Sequence, residues 1–585
     1  MTARPESIPR PSTTSDRDER FYAAAEEYLD GMLQRNPTAA TYHGYHAFDG
    51  HLEDFGAAAI EERASFYREW RDRLRHMQAE TLSPGAASDL DLILNDAEGS
   101  LFALDELKSH ETDPSIYNDI IGYSALGLTL LDEGDSAWSQ RLESLLQRMK
   151  ALPGFLEDAR RNLKAPSDVV TAFTALQNQG NIDFYRRALP MLFDRAPLLR
   201  SPLEQECGRT LEALGSYQEF LEGDLLRRST GDWRLGRNLW SAKLRYTLQS
   251  NMPPDEIARR AWDHIRTERE RMLELAEPIH ARLFPRHSHS EKGDERINAI
   301  VGEVIGAASV KHSEPGSLLE DVRTKWVPRI KRFIREKGLL GLPPEGDNFV
   351  IEMTPGFLDG RAVAFFNPPP AFEPGLKKSY WISSIPTSGD PEKDRKSSES
   401  FLREYNDYGL QSLTIHEAFP GHYVQFWYAL SSPYASIYKK IFANSTFAEG
   451  WAVMCEEQMF EQGYAAEEPE CVLVHKKMNL RAPINAILDA RLHTEPMEDG
   501  EADRWAMDLM QRYGFQEEAE AIGKLRRAKV TSTQLSTYFV GYLELKDLTE
   551  DYRRLRGDEF RLREYYERLL SYGTIPPRSI RRLML

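Results

Sequence analysis

Cysteine is nearly absent from this chain, with three in 585 residues: Cys207, Cys455 and Cys471. Their wide spacing and odd number exclude a disulfide framework, and no Cys-x-x-Cys pair offers a thiolate metal site. Each reads as an ordinary buried or surface thiol. Long hydrophobic runs are also missing. None approaches the ~18 apolar residues of a membrane-crossing helix. The opening residues, MTARPESIPRPSTTSDRDER, hold no apolar stretch that would serve as a signal-peptide core. The expectation is a cytoplasmic protein with no membrane partner. Positive charge is in deficit, with 74 Lys and Arg against 92 Asp and Glu and a formal net charge of −18. Phosphate backbones are bound by clustered Lys and Arg, so the balance argues against a nucleic-acid partner. No fixed-period repeat and no low-complexity tract appears.

What is present is the balance of a globular protein: 41% hydrophobic and 28% charged residues. The length is enough to bury a large core and wall off a deep cleft. Residues 1–18, rich in Pro, Ser, Thr and Arg, read as a disordered tail. Residues 19–335 read as a helical lobe. Phe21, Tyr22, Ala25, Tyr28, Leu29 and Met32 recur at three- and four-residue spacing. In MPPDEIARRAWDHIRTERERMLELA, Pro and acidic residues open a long amphipathic helix, as the helix dipole favours. The following PRHSHSEKGDE reads as a polar loop, with His287 and His289 an incidental exposed pair. Residues 336–585 read as a catalytic lobe. Within it, 347–385 breaks the helical habit. DNFVIEMTP, RAVAFFNPPP and KKSYWISSIP are short apolar runs bounded by Gly and Pro, which predicts a sheet of three strands.

The run His416-Glu417-Ala418-Phe419-Pro420-Gly421-His422 carries the chemistry. It is similar to H-E-x-x-H, where two His one turn apart bind zinc and the Glu is general base on the water that the metal activates. Here the His residues are six apart and would point to different faces of a regular helix. Pro420 lacks the backbone N–H and its ring clashes with the preceding turn, while Gly421 permits unusual backbone angles. The pair predicts a break that swings His422 back toward His416. A third ligand is expected from FAEGWAVMCEE, where Glu449 lies among apolar neighbours. Glu456, seven residues on and so on the same helical face, is placed to orient a ligand His from outside. Zinc is the expected metal, one per chain, with manganese or cobalt as substitutes in a His/His/Glu site. His493 and Tyr538 are candidate donors to a developing oxyanion, and Asp489, one turn before His493, a candidate for fixing its tautomer.

These motifs resemble a bacterial family known as domain of unknown function 885, whose hallmark is H-E-A-x-P-G-H followed by an E-G-W-A helix. Here they stand as HEAFPGHYVQ at 416–425 and EGWAVMCE at 449–456, and the similarity spans nearly the whole chain. The resemblance implies a mainly α, large two-lobed zincin-like metallopeptidase fold with a small sheet beside the active-site helix. On it, His416, His422 and Glu449 match metal ligands, Glu417 the base, and His493 and Tyr538 transition-state positions. The chain departs from the family at Thr549, where Arg is usual, and at Arg491, near which Gly is common. The expected function is a zinc-dependent peptidase acting on short or unfolded peptides, with a strand around Ala362 and Ala364 pairing with the substrate backbone. Three alternatives stay open: an amidase or esterase on a small metabolite, a non-catalytic peptide-binding protein, and a structural role in which HEAFPGH is a kinked helix that binds no metal.

Overall fold

The computed structural model describes residues 8–9, 11, 15–77, 79–129, 136–354, 363–385 and 389–585. The protein is mainly helical, with one three-stranded sheet among the described residues. Most of the tail expected over 1–18 lies outside the described residues. Its end does not: helix α1 (Asp16–Arg35) already includes Asp16–Asp18, because the Ser15 side chain caps it by accepting from the Arg17 N–H, and three acidic residues sit in its first turn.

Apolar packing falls into three main clusters. One draws on residues 55–225, including helix α2 (Asp168–Asp183). A second joins Phe21, Tyr28 and Trp70 to Tyr438. The largest runs from Trp233 to Met584, with Leu92 joining it. The helices α3 (Pro254–Leu283) and α4 (Gly293–Ala308) bury their apolar faces in this last core. Helix α3 opens on Pro254, Asp255 and Glu256, as its sequence predicts. Among the described residues, no helix is long and apolar enough to cross a membrane.

The sheet consists of β1 (Phe349–Met353), β2 (Ala364–Asn367) and β3 (Lys378–Ile382), in the order β1-β3-β2. The β1–β3 pair is parallel and the β2–β3 pair antiparallel. All three expected runs therefore form strands, as β-branched and aromatic residues favour. Strand β2 is an edge. Phe349 of β1 stacks on Tyr423 with ring centroids 3.9 Å apart, which fixes the sheet against the helices that follow.

Those helices include α5 (Pro391–Glu404), α6 (Asp407–Glu417), α7 (His422–Ser431), α8 (Ser445–Glu461), α9 (Arg481–Thr494), α10 (Glu518–Val530) and α11 (Thr537–Arg556). Asn406 caps α6 and Asn444 caps α8, each through its side-chain oxygen. Helices α8 and α11 pack along one another through glycines. Together with the sheet, α2 and α10, they enclose a cavity of about 590 Å³.

Candidate metal centre

The helix break lies where Pro420 and Gly421 place it. Helix α6 stops at Glu417 and α7 starts at His422. The Gly421 N–H returns to the Ile415 carbonyl at 3.0 Å. A Cβ on Gly421 would lie 1.8 Å from the His416 carbonyl oxygen, so only glycine fits this turn. Trp451 of α8 donates its indole N–H to the Pro420 carbonyl at 3.0 Å, which satisfies a group the broken helix leaves unpaired. The turn thus depends on a residue of the E-G-W-A segment as well as on its own Pro and Gly.

The break brings the His416 and His422 rings to 4.9 Å between centroids, nearly perpendicular. Glu449 Oε2 lies 3.4 Å from His416 Nε2 and 3.5 Å from His422 Nε2. One ligand atom from each of the three lies within 4.8 Å of the others. Glu456 Oε1 meets His416 Nδ1 at 2.8 Å. With the ring proton on Nδ1, facing Glu456, Nε2 turns a lone pair toward the centre. Two imidazoles and one carboxylate are a donor set that zinc accepts, and three protein ligands leave a position open. The residues therefore fit a divalent transition-metal ion.

The electrostatics agree. Burial alone would lower the His416 pKa, but hydrogen bonds to Glu449 and Glu456 outweigh it and hold it well above the usual value. Burial alone would raise Glu449, but the two histidines hold it far below the usual carboxylate range. This pocket favours positive charge between its ligands, which a dication supplies more strongly than a proton.

Glu417 sits beside the triad. Its Oε2 accepts the Phe366 N–H of edge strand β2 at 3.0 Å, and burial raises its pKa. His416 and Glu417 both line the cavity, as does Ala364 of β2. Ala362 lies outside the described residues.

Tyr538 also lines the cavity. Its hydroxyl oxygen accepts from Arg527 at 3.0 Å, which leaves its own proton to donate. Arg527 escaped the sequence reading. It is one of several basic residues in KLRRAKV, and only its hydrogen bond to Tyr538 in the fold marks it out. Lys524, on the same wall, has a pKa lowered to about 8 by burial.

Two expectations are corrected here. His493 is 1% exposed and does not line the cavity. Its Nε2 instead donates to the Ala528 and Thr531 carbonyls, each at 2.9 Å, tying α9 to the end of α10. Its Nδ1 is buried without a hydrogen bond among the described residues, away from the cavity lining. Asp489 does not orient His493. Its carboxylate accepts from Trp240 Nε1, the Thr533 and Ser536 N–H groups and the Ser536 hydroxyl. Asp489 thereby shapes the turn that leads into α11, and so acts on the placement of Tyr538. A polar residue one helical turn from a His is a reasonable partner in sequence, but the loop at 531–536 competes for the same carboxylate and wins with three donors, Trp240 adding a fourth.

The family model described as a bacterial protein of unknown function, DUF885, matches residues 37–584. No curated protein matches the chain. A candidate lipoprotein of unknown function from Shewanella oneidensis, solved as a structure, is 29% identical; the match covers 98% of this chain and 100% of that one, with a TM-score of 0.79. A candidate lipoprotein from Colwellia psychrerythraea is 16% identical, with 97% and 98% covered and a TM-score of 0.75, a likeness of fold.

Proposed function

The chain belongs to the bacterial protein family of unknown function DUF885, and from the site it carries we propose that it is a metal-dependent hydrolase, most simply a peptidase of short or unfolded peptides. The observation that carries this reading is the placement of Glu417. A buried carboxylate stands next to a His/His/Glu triad, on the wall of a cavity, with one oxygen fixed by a backbone N–H. A binding protein has no need of a base there. The broken ligand helix beside an edge strand supports a zincin-like architecture for the part of the chain around the site.

His416, His422 and Glu449 would hold the ion, zinc by donor preference and manganese or cobalt as substitutes. When bound, it supplies Lewis acidity to an amide carbonyl and to water. Glu417 takes the proton of the attacking water and returns it to the departing amine. The Phe366 N–H keeps the carboxylate aimed during both transfers. Tyr538, its oxygen held by Arg527, donates to the oxyanion that forms on the former carbonyl oxygen. Strand β2, an edge among the described residues with Ala364 on the cavity lining, offers backbone groups to an extended peptide.

A cavity of about 590 Å³ is of the size that holds a small ligand or a few residues of peptide. That volume also suits a small amide or ester, the second reading. The deciding experiment is a peptide library assayed beside non-peptide amides and esters, with wild type and Glu417→Gln. Cleavage of peptides under about fifteen residues, lost in Glu417→Gln with metal retained, supports the peptidase. Turnover of non-peptide amides alone moves the assignment to the second reading. Full activity in Glu417→Gln overturns the base.

A further inference from the structure

Outside the cavity, three histidines converge on one glutamate. His280 lies in the last turn of α3, His287 and His289 in the loop that follows, and Glu303 in α4. Glu303 Oε2 lies 2.8 Å from His280 Nε2, 3.0 Å from His287 Nδ1 and 3.4 Å from His289 Nε2. One ligand atom from each of the four lies within 4.8 Å of the others. The His287 and His289 rings are 4.6 Å apart between centroids, and those of His280 and His289 5.0 Å. None of the four lines the cavity.

The cluster is partly buried, with the His280 side chain 8% exposed. The His289 side chain is only 7% exposed, and its Nε2 faces Glu303 without a hydrogen bond among the described residues. Its other nitrogen, Nδ1, lies 3.4 Å from Glu291 Oε2. With the ring proton on that outer side, Nε2 turns a lone pair toward a carboxylate oxygen. That lone pair and the Glu303 oxygen can share a cation between them. An outer carboxylate on a ligand His is also the arrangement that fixes a metal-binding tautomer. The loop itself is braced. Arg296 of α4 donates to the His289 carbonyl at 3.1 Å, and the His287 N–H reaches the Phe284 carbonyl at 2.9 Å.

We propose that His280, His287, His289 and Glu303 form a second transition-metal site, fitted to zinc, that staples the α3–α4 hairpin. Three imidazole nitrogens and one carboxylate oxygen suit zinc, whereas calcium and magnesium prefer all-oxygen shells. Four protein ligands complete a tetrahedron and leave no position for substrate, which marks the role as structural. The ion joins the end of one helix, the loop and the next helix. It binds only where all three are folded together, and so stabilises the folded state by mass action.

The test uses full-length protein stripped by chelator, titrated with Co²⁺ alone and followed by its visible absorption, with thermal unfolding read after adding Zn²⁺ alone. The background is His416→Ala/His422→Ala, which disables the other centre. There, uptake of about one Co²⁺ per chain with an intense tetrahedral band is expected, and Zn²⁺ raises the Tm by several degrees. Adding His287→Ala/His289→Ala, both in a loop, abolishes both effects. In the otherwise wild-type chain those two substitutions lower uptake from about two ions to about one. Absence of uptake in the background, or uptake unchanged by His287→Ala/His289→Ala, overturns the site. Failure of the cavity centre has a different signature: wild type and His416→Ala/His422→Ala then bind the same amount.

Discussion

Gly450 and Gly541 meet backbone to backbone where α8 and α11 cross. A methyl group at 450 would lie 2.2 Å from the Gly541 carbonyl carbon, and one at 541 would lie 1.9 Å from the Thr446 carbonyl oxygen. Glu449 precedes the first glycine, and Tyr538 stands one turn before the second. The contact therefore sets how far the Glu449 carboxylate lies from the Tyr538 hydroxyl. Gly450→Ala or Gly541→Ala forces the helices apart. The expected cost is about 3 kcal/mol or more, since backbone cannot give way as a side chain does. Urea unfolding measures it, and hydrolysis should fall in the same variants. Unchanged stability in either would mean that the helices slide freely.

Glu456 holds His416 through Nδ1 without lining up as a ligand itself. Glu456→Gln removes the negative charge and leaves the shape. Metal affinity should fall roughly 10- to 100-fold, as for other outer carboxylates on ligand histidines. Competition against a metal-binding dye reads this directly. An unchanged affinity would show that the ring needs no such partner.

Tyr538→Phe removes one hydroxyl and leaves the ring. If that hydroxyl donates to the oxyanion, kcat should fall by roughly 10²-fold or more with metal content unchanged and KM little altered. A change confined to KM would instead make Tyr538 a substrate-binding residue. His493→Gln should affect stability only, because its ring serves the Ala528 and Thr531 carbonyls.

Beside the cavity, Glu404 is buried between Lys477, at 2.8 Å, and Arg481. Burial alone would raise its pKa, but the two cations bring it down to about 2. The folded value lies below the unfolded one. The carboxylate thus stabilises the fold above about pH 4.3, and that contribution disappears as the pH falls toward 2. Glu404→Gln should cost about 3 kcal/mol at neutral pH, and the gap to wild type should close between about pH 4 and pH 2. Denaturant unfolding across that range checks it. A gap independent of pH would assign the cost to packing.

The sequence was legible where a local rule had a single reading. Pro420 and Gly421 announced the break, Gly- and Pro-bounded apolar runs announced the three strands, and seven-residue spacing placed Glu456 on the face of Glu449. It was illegible where a contact crosses between distant segments. Nothing near residue 366 shows that its N–H will meet Glu417, and nothing in KLRRAKV singles out Arg527. Asp489 and His493 mark the opposite failure, in which helical spacing suggested a pair and a loop forty residues away took the carboxylate. His287 and His289 belong to the same class. Two histidines in a polar loop mean little until the fold brings His280 and Glu303 to them.

The central claim is that the broken helix closes a metal site. Its most direct measurement is metal content per chain by elemental analysis, on protein purified without added metal or chelator, for wild type and for His416→Ala/His422→Ala. The account predicts a difference of about one zinc per chain, lost together with hydrolysis. Equal metal content in the two proteins would contradict it.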